Sequence, residues 1–185
     1  MAELQDYSGE FRPNIKYQDF SKEALARLLT EYGRLGLALD GWWHTIVREK
    51  YGKDEAIKLE LAVWDRGVPY EQLRVMEALN IRGNDVATCF KELQMDPQYC
   101  LGIFDITWDL KNNNYGIFTV NRCRALERFE KQGDTKTMLE MCALDVKAFE
   151  KIARFFNPNM KVTTLKLPPR KSPNEIACRF ECKIG

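Results

Sequence analysis

The sequence has little of the material from which several common functional sites are built. It has one histidine in 185 residues, and no two of its six cysteines have the CxxC spacing typical of a structural zinc site. A domain of this length also has no need of disulfide bonds to fold. We therefore expect no bound metal, no cofactor and no disulfide framework.

Excess charge and long apolar runs are also missing. The 28 basic and 27 acidic residues nearly cancel, whereas a general nucleic-acid binder needs a basic surface. No apolar run approaches the ~20 residues that a membrane span requires, and the first 20 residues do not have the apolar core of a signal peptide. These absences predict a cytoplasmic protein with reduced cysteines, which binds neither nucleic acid nor membrane.

What is present is enough for one folded domain. Hydrophobic residues make up 45% of the chain, which allows a substantial core. Residues 1–19 are polar and predict a flexible arm, and residues 20–185 predict a single domain. Apolar residues recur at helical spacing through the first half of that domain, residues 20–97. The predicted helices cover residues 21–50, 54–65, 69–80 and 84–95, with Ser21 and Gly52 as caps of the first.

The second half, residues 98–185, changes period. Predicted strands cover 99–110, 115–121, 161–167 and 176–184, and predicted helices cover 122–131 and 135–156. The order is four helices, a β-hairpin, two helices and a second β-hairpin. This order predicts an α+β fold, in which helices cover an antiparallel sheet of about four strands.

Two stretches resemble a known family. They are LALDGWWHTIVREKYGKDEAIKLELAVWDRG at 37–67 and the C-terminal half, with NRCRALERFEKQG, CALDVKAFEKIARFFNPNMKVTTLKLPP and IACRFECKI. The chain resembles an uncharacterised bacterial and archaeal family distantly related to L-2-amino-thiazoline-4-carboxylate hydrolases, which open a sulfur-containing ring. The resemblance implies a hydrolase-like activity on a small carboxylate containing sulfur or nitrogen. Relatives often have Cys and His near PPRKSP, where this chain has Leu165, Leu167 and Ser172.

Cys123, between Arg122 and Arg124, is the first candidate catalytic residue. If Asn121 is a helix N-cap, Cys123 is the second helical residue, where backbone N–H groups and the flanking arginines would lower the thiol pKa. Cys123 would then be a nucleophile, and the arginines would bind a substrate carboxylate. The alternative is a buried cysteine that only packs.

Cys142 and Asp145 lie three residues apart on the predicted helix 135–156. Asp145 is a candidate to orient one of the arginines near Cys123, and Cys142 is a candidate substrate contact. The alternative is a core cysteine beside a solvated carboxylate, because free cysteine is among the most buried residue types.

His44 is the candidate general base, with Asp40 one turn before it on the first predicted helix. A solvated helix face has the same pattern. Asp40 could instead contact substrate, or join Glu60 on a divalent cation, although carboxylates also cap helices and pair with arginines.

Trp43 is one of four tryptophans in a chain rich in aromatic residues, and we place it in the wall of a ligand cavity. The same residues could simply form the core. Two functions remain open. One is a hydrolase-like enzyme, and the other is a non-catalytic ligand-binding or accessory subunit that works as a homodimer or with a larger enzyme partner.

Overall fold

The computed structural model describes residues 3–96, 99 and 104–185, and shows the α+β fold that the sequence predicts. The described helices are α1 (Lys22–Tyr51), α2 (Lys53–Leu79), α3 (Val86–Leu93), α4 (Arg124–Gln132) and α5 (Thr135–Phe156). The strands are β1 (Phe104–Asn112), β2 (Tyr115–Cys123), β3 (Met160–Lys166) and β4 (Cys178–Ile184). A short 3-10 helix, Tyr17–Asp19, precedes α1, and Leu4 pairs with Phe20 in a β-bridge.

Each end of α1 is stabilised by a local interaction that the sequence predicts. The Ser21 hydroxyl accepts a hydrogen bond from the Ala24 amide at 3.1 Å. At the other end Gly52, with φ of 85°, allows the chain to turn directly into α2. As a result α1 and α2 form an antiparallel pair of long helices, and this pair forms one wall of the candidate site.

The predicted break between residues 65 and 69 is wrong, because α2 continues through Pro69. Proline has no N–H to donate to the carbonyl one turn earlier, which normally ends a helix. Here the buried residues Ala56, Glu60, Val68 and Gln72, which are four or eight positions apart, form a stripe that continues past the exposed Pro69. Packing on both sides of Pro69 therefore keeps a single helix, and three described helices replace the four predicted.

The four strands form one antiparallel sheet in the order β1-β2-β4-β3. The core lies between one face of this sheet and the helices α3 and α5, where Phe118 and Phe180 stack at 5.0 Å between ring centroids and Phe149 contacts both. The predicted strand start at Tyr99 is wrong, since Tyr99 is helical. Residues 100–103 of that predicted strand lie outside the described residues, as does the predicted end of the helical half at residue 97.

Candidate functional site

A cavity of about 430 Å³ lies between the helix pair α1–α2, helix α5 and the inner face of the sheet. This volume falls within the range of small-molecule sites, roughly 300–1,000 Å³. The cavity opens between α1 and α2, where its rim is formed by solvent-exposed residues that include Gly36, Leu39, Asp40, Val63 and Glu71. It is the best candidate for a functional site among the described residues.

Aromatic side chains form much of the cavity wall. Trp43 of α1 and Trp64 of α2 lie on the helical side, and Phe149 of α5 and Phe180 of β4 lie on the opposite side. Trp43 therefore lies in a cavity wall, and its predicted contact with a substrate stays a prediction. Such a wall favours the apolar or planar part of a ligand.

The charged groups in the wall are acidic. Asp40, Glu71, Asp96 and Asp145 line the cavity, and the described lining residues include no lysine, arginine or histidine. The resulting negative potential favours a cationic or hydrogen-bond-donating ligand. A ligand carboxylate would be repelled by the same groups.

Asp145 lies deep in the protein on the inner face of α5. Its side chain lines the cavity and is solvent-exposed, although many protein atoms lie around it. Burial, together with the nearby negative charges of Asp40 and Glu60, raises the Asp145 pKa to about 7. A carboxyl group that titrates near neutral pH can bind a cation or exchange a proton.

His44 reaches a carboxylate and not a thiol. Its Nδ1 donates to Glu60 Oε2 at 2.8 Å, and both side chains are almost completely buried. The other Glu60 oxygen, Oε1, is buried with no hydrogen-bond partner among the described residues, and Asp40 lies beside it. The raised pKa of Glu60, caused mainly by burial and then by Asp40, allows the two carboxyl groups to share a proton.

Cys123 lines the cavity but does not have the predicted position on its helix. Strand β2 extends to Cys123, so Cys123 itself is the N-cap of α4, and its sulfur accepts from the Leu126 amide at 3.4 Å. Burial raises the pKa of the thiol to about 11, with the negative charge of Asp145 adding to the effect and the Leu126 amide opposing it. The predicted Asn121 cap is wrong, and the direction of this pKa change is opposite to the one expected for an activated nucleophile.

Cys142 and Cys178 lie in the cavity wall with Cys123. Burial raises the pKa of Cys142 to about 12 and also raises that of Cys178, with negative charge at Asp145 and Cys123 adding to both effects. The five described cysteines are free. Within the described ranges, no group of three or more His, Cys, Asp or Glu residues is arranged to hold a metal ion.

Arg122 and Arg124 lie outside the cavity. They border a shallow depression on the surface with Glu127, and the Arg122 Nε donates to Glu127 Oε1 at 3.0 Å. Phe118 and Val120 of β2 face the core, so strict alternation would turn Arg122 inward. The register shift between the pairs Ile106–Val120 and Asp105–Arg122 leaves Asn121 as an extra residue and reverses the alternation, so that Cys123 lines the cavity and Arg122 faces outward. Arg124 is the first residue of α4. The structure therefore does not bring either arginine to Cys123 or Asp145 as a carboxylate-binding group.

Sequence reasoning missed a second acidic group at one end of the cavity. Glu92 of α3 is fully buried, and the side-chain amide of Gln72 lies against it. With the amide nitrogen of Gln72 oriented toward Glu92, that nitrogen donates a hydrogen bond to Glu92 Oε1 at 3.1 Å. Burial and the neighbouring Asp96 and Glu71 raise the Glu92 pKa to about 8. The only sequence signal is a glutamate on the inward-facing side of a short amphipathic helix.

The fold and the cavity define an α+β protein with an internal, acidic, aromatic-walled cavity. The chain belongs to a family of unknown function, DUF6125, whose model matches residues 18–184. No curated protein and no solved structure matches the chain. The family description names no activity, so the resemblance to thiazoline-carboxylate hydrolases stays a prediction. None of the helices in the described part of the chain is both long and apolar enough to cross a membrane.

Proposed function

We propose that the protein binds a small organic cation, an amine or quaternary ammonium with an apolar and preferably aromatic body, inside the cavity. The observation that carries the proposal is the combination of an aromatic wall with exclusively acidic charge among the described lining residues. The sequence predicts a small ligand that contains nitrogen or sulfur and a carboxylate. The ligand proposed here also contains nitrogen, but it has no carboxylate.

The aromatic wall supports the cationic part of the ligand as well as its apolar part. Trp43 and Trp64 both line the helical side of the cavity. A cation over the face of an indole ring gains about 0.5–2 kcal/mol, most when it is desolvated. The same rings pack against an aromatic body, so one ligand can use both properties.

Asp145 supports the choice of a cation through its position. It borders the cavity from α5, and Asp40 lines the same cavity at the rim. Its pKa is raised to about 7 because burial, and then the neighbouring carboxylates of Asp40 and Glu60, oppose its ionisation. A bound cation would reverse that effect, so that binding and loss of the Asp145 proton favour each other.

Hydrolysis is a second candidate, favoured by the same Asp145. A cavity-facing carboxyl group with a pKa near 7 suits a general acid–base residue. Its carboxylate would accept a proton from water attacking a ring carbon, and the acid so formed would protonate the leaving nitrogen. A screen of cyclic amidines and thiazolines for ring opening would test this, with Asp145→Asn expected to lose at least 100-fold in rate. A wild-type protein that opens no ring in the screen would contradict it.

The described thiols support a cytoplasmic location as part of the proposal. All five are free, and at least three of them border the cavity. Free thiols persist in a reducing compartment.

Two probes of the same shape test the binding proposal. Benzyltrimethylammonium has a permanent positive charge, and neopentylbenzene replaces its nitrogen by carbon. In titration calorimetry, the wild-type protein should bind the cation with at least tenfold higher affinity than the neutral compound. Asp145→Asn should weaken the cation at least tenfold, because it removes the facing carboxylate. The control Asp105→Asn changes an exposed carboxylate on β1 and should have no effect. Equal affinity for the two probes would contradict the proposal.

A further inference from the structure

The outer face of α1 is apolar and faces solvent. Six of its large hydrophobic side chains are 50–67% exposed. They are Leu29, Tyr32, Leu35, Leu39, Trp42 and Ile46. We call this set the α1 seam. Soluble monomers rarely leave so continuous an apolar surface uncovered, and such surfaces are typical of interaction sites.

The spacing of the seam is that of a helix which packs on another helix. From Tyr32 to Ile46 the exposed residues alternate at intervals of three and four, which is the repeat of a coiled-coil interface. Inside the protein, α1 packs mainly on α2, using the opposite side that includes Gly33 and His44. The seam is therefore a second packing face on the same helix.

A glycine beside the seam supports close approach of another helix. Gly36 lies inside α1, one turn from both Tyr32 and Leu39, where it weakens the helix by roughly 1 kcal/mol relative to alanine. No described atom lies within 4 Å of where a Cβ would be placed at this position, so packing within the chain does not require glycine here. A helix from another chain could approach the α1 backbone more closely where the side chain is missing.

The surface involved is of the size that a stable dimer needs. A standard interface covers about 800 Å² on each partner. Six half-exposed Leu, Ile, Tyr and Trp side chains supply surface on the order of 700 Å². Val63 and Tyr70 of α2, two turns apart on one face, add further exposed apolar surface, and Val63 lies with Leu39 at the rim of the cavity.

We infer that a second copy of this chain covers the α1 seam, forming a symmetric dimer through α1 against α1. A two-fold dimer uses the same patch on both subunits, and an uncharged apolar strip is complementary to itself. The cavity opens beside this strip at Leu39 and Val63, so the second copy would also cover part of the rim.

Sedimentation velocity of the full chain tests the inference. Between 1 and 100 µM, the wild-type protein should either sediment with the mass of a dimer throughout or shift from the monomer mass to the dimer mass as its concentration rises. Leu35→Glu and Ile46→Glu place charges in the seam without touching the cavity lining, and each should weaken the dimer at least 100-fold. Leu165→Glu is the matched control, because Leu165 is 48% exposed on β3, outside the seam, and its variant should remain dimeric.

Circular dichroism shows whether each variant folds, and the wild-type concentration series decides the question if one does not. A wild-type protein that is monomeric at 100 µM would overturn the inference, since the seam would then serve another partner. The inference would also be overturned if Leu35→Glu and Ile46→Glu formed dimers with the same dissociation constant as the wild-type protein. Neither result bears on the cavity, whose probes are measured separately.

Discussion

His44 and Glu60 join the two long helices through a buried hydrogen bond of 2.8 Å between Nδ1 and Oε2. This pair lies directly behind the cavity rim, next to Asp40. It accounts for the single histidine of the chain, which the sequence suggested as a general base. In the structure, His44 forms a hydrogen bond with Glu60, one of several buried acidic side chains near the cavity.

Removing the histidine should therefore destabilise the protein. His44→Ala leaves the Glu60 carboxylate buried beside Asp40 without its donor, and we expect a loss of roughly 2–4 kcal/mol in the free energy of unfolding. Glu60→Gln keeps an acceptor for the imidazole and should cost less. Urea unfolding followed by circular dichroism measures both. In the exposed control Glu49→Gln the change should stay within about 0.5 kcal/mol. A His44→Ala protein as stable as that control would show that the pair has no structural role.

Binding of a permanent cation should strengthen as pH rises through 7. The Asp145 pKa is raised to about 7, so its charge, and with it the attraction for the cation, develops in this range. Benzyltrimethylammonium keeps its charge at every pH, so a change in affinity reports the protein. Calorimetry at pH 6, 7 and 8 should show this rise in wild type and a smaller one in Asp145→Asn. An affinity that is flat with pH in the wild-type protein would exclude Asp145 as the cation's partner.

Glu92 should make the protein less stable as pH rises. Its folded pKa of about 8 lies above its ordinary value of 4.5, so the folded state holds the proton more tightly than the unfolded state. The stabilisation from that proton is complete below pH 4.5 and is lost as pH rises through 8. Relative to wild type, Glu92→Gln should gain about 1–3 kcal/mol between pH 5 and pH 8.5. Urea unfolding at the two pH values checks this, with the exposed Glu49→Gln as the control. A parallel pH dependence in Glu92→Gln and wild type would show that Glu92 is ionised in the folded protein.

Cys123 should react slowly with alkylating reagents at neutral pH. Its pKa is raised to about 11, and only the thiolate is nucleophilic. Iodoacetamide labelling, followed for each cysteine by mass spectrometry, should show the Cys123 rate still rising above pH 10. Asp145→Asn should shift the profile to lower pH, because it removes a negative charge that opposes the thiolate. An inflection below the ordinary thiol pKa of ~8.5 would restore Cys123 as a candidate nucleophile.

Much of the fold could be predicted from local sequence patterns. Ser21 and Gly52 mark the ends of α1 because capping depends on neighbouring residues only. The change from helical to strand spacing near residue 100 separates the two halves in the same way. Pro69 misled the prediction because its effect depends on tertiary packing along the opposite side of α2, which local patterns do not contain.

The candidate site was predictable as a set of residues but not as an arrangement. Asp40, Trp43, Cys123, Cys142 and Asp145 were separate candidates, and the fold brings all five to one cavity. Arg122 was misplaced because the register shift at Asn121, which local sequence spacing does not reveal, turns Cys123 inward and Arg122 outward.

The acidic character of the cavity could not be predicted, because it arises from several elements at once. Glu71 comes from α2, Asp96 from the segment after α3 and Asp145 from α5. Each is an ordinary acidic residue in its own helix or segment. Only tertiary structure places them around one space without a lysine or arginine among the described lining residues.

A structure of the protein with 4-bromobenzyltrimethylammonium tests the central claim most directly, because anomalous scattering from bromine locates the ligand without ambiguity. The account predicts one ligand inside the cavity, with its ammonium group within about 6 Å of the Trp43 or Trp64 ring and facing Asp145. An empty cavity at saturating ligand, or a ligand seated with its ammonium group away from the acidic side chains, would contradict it.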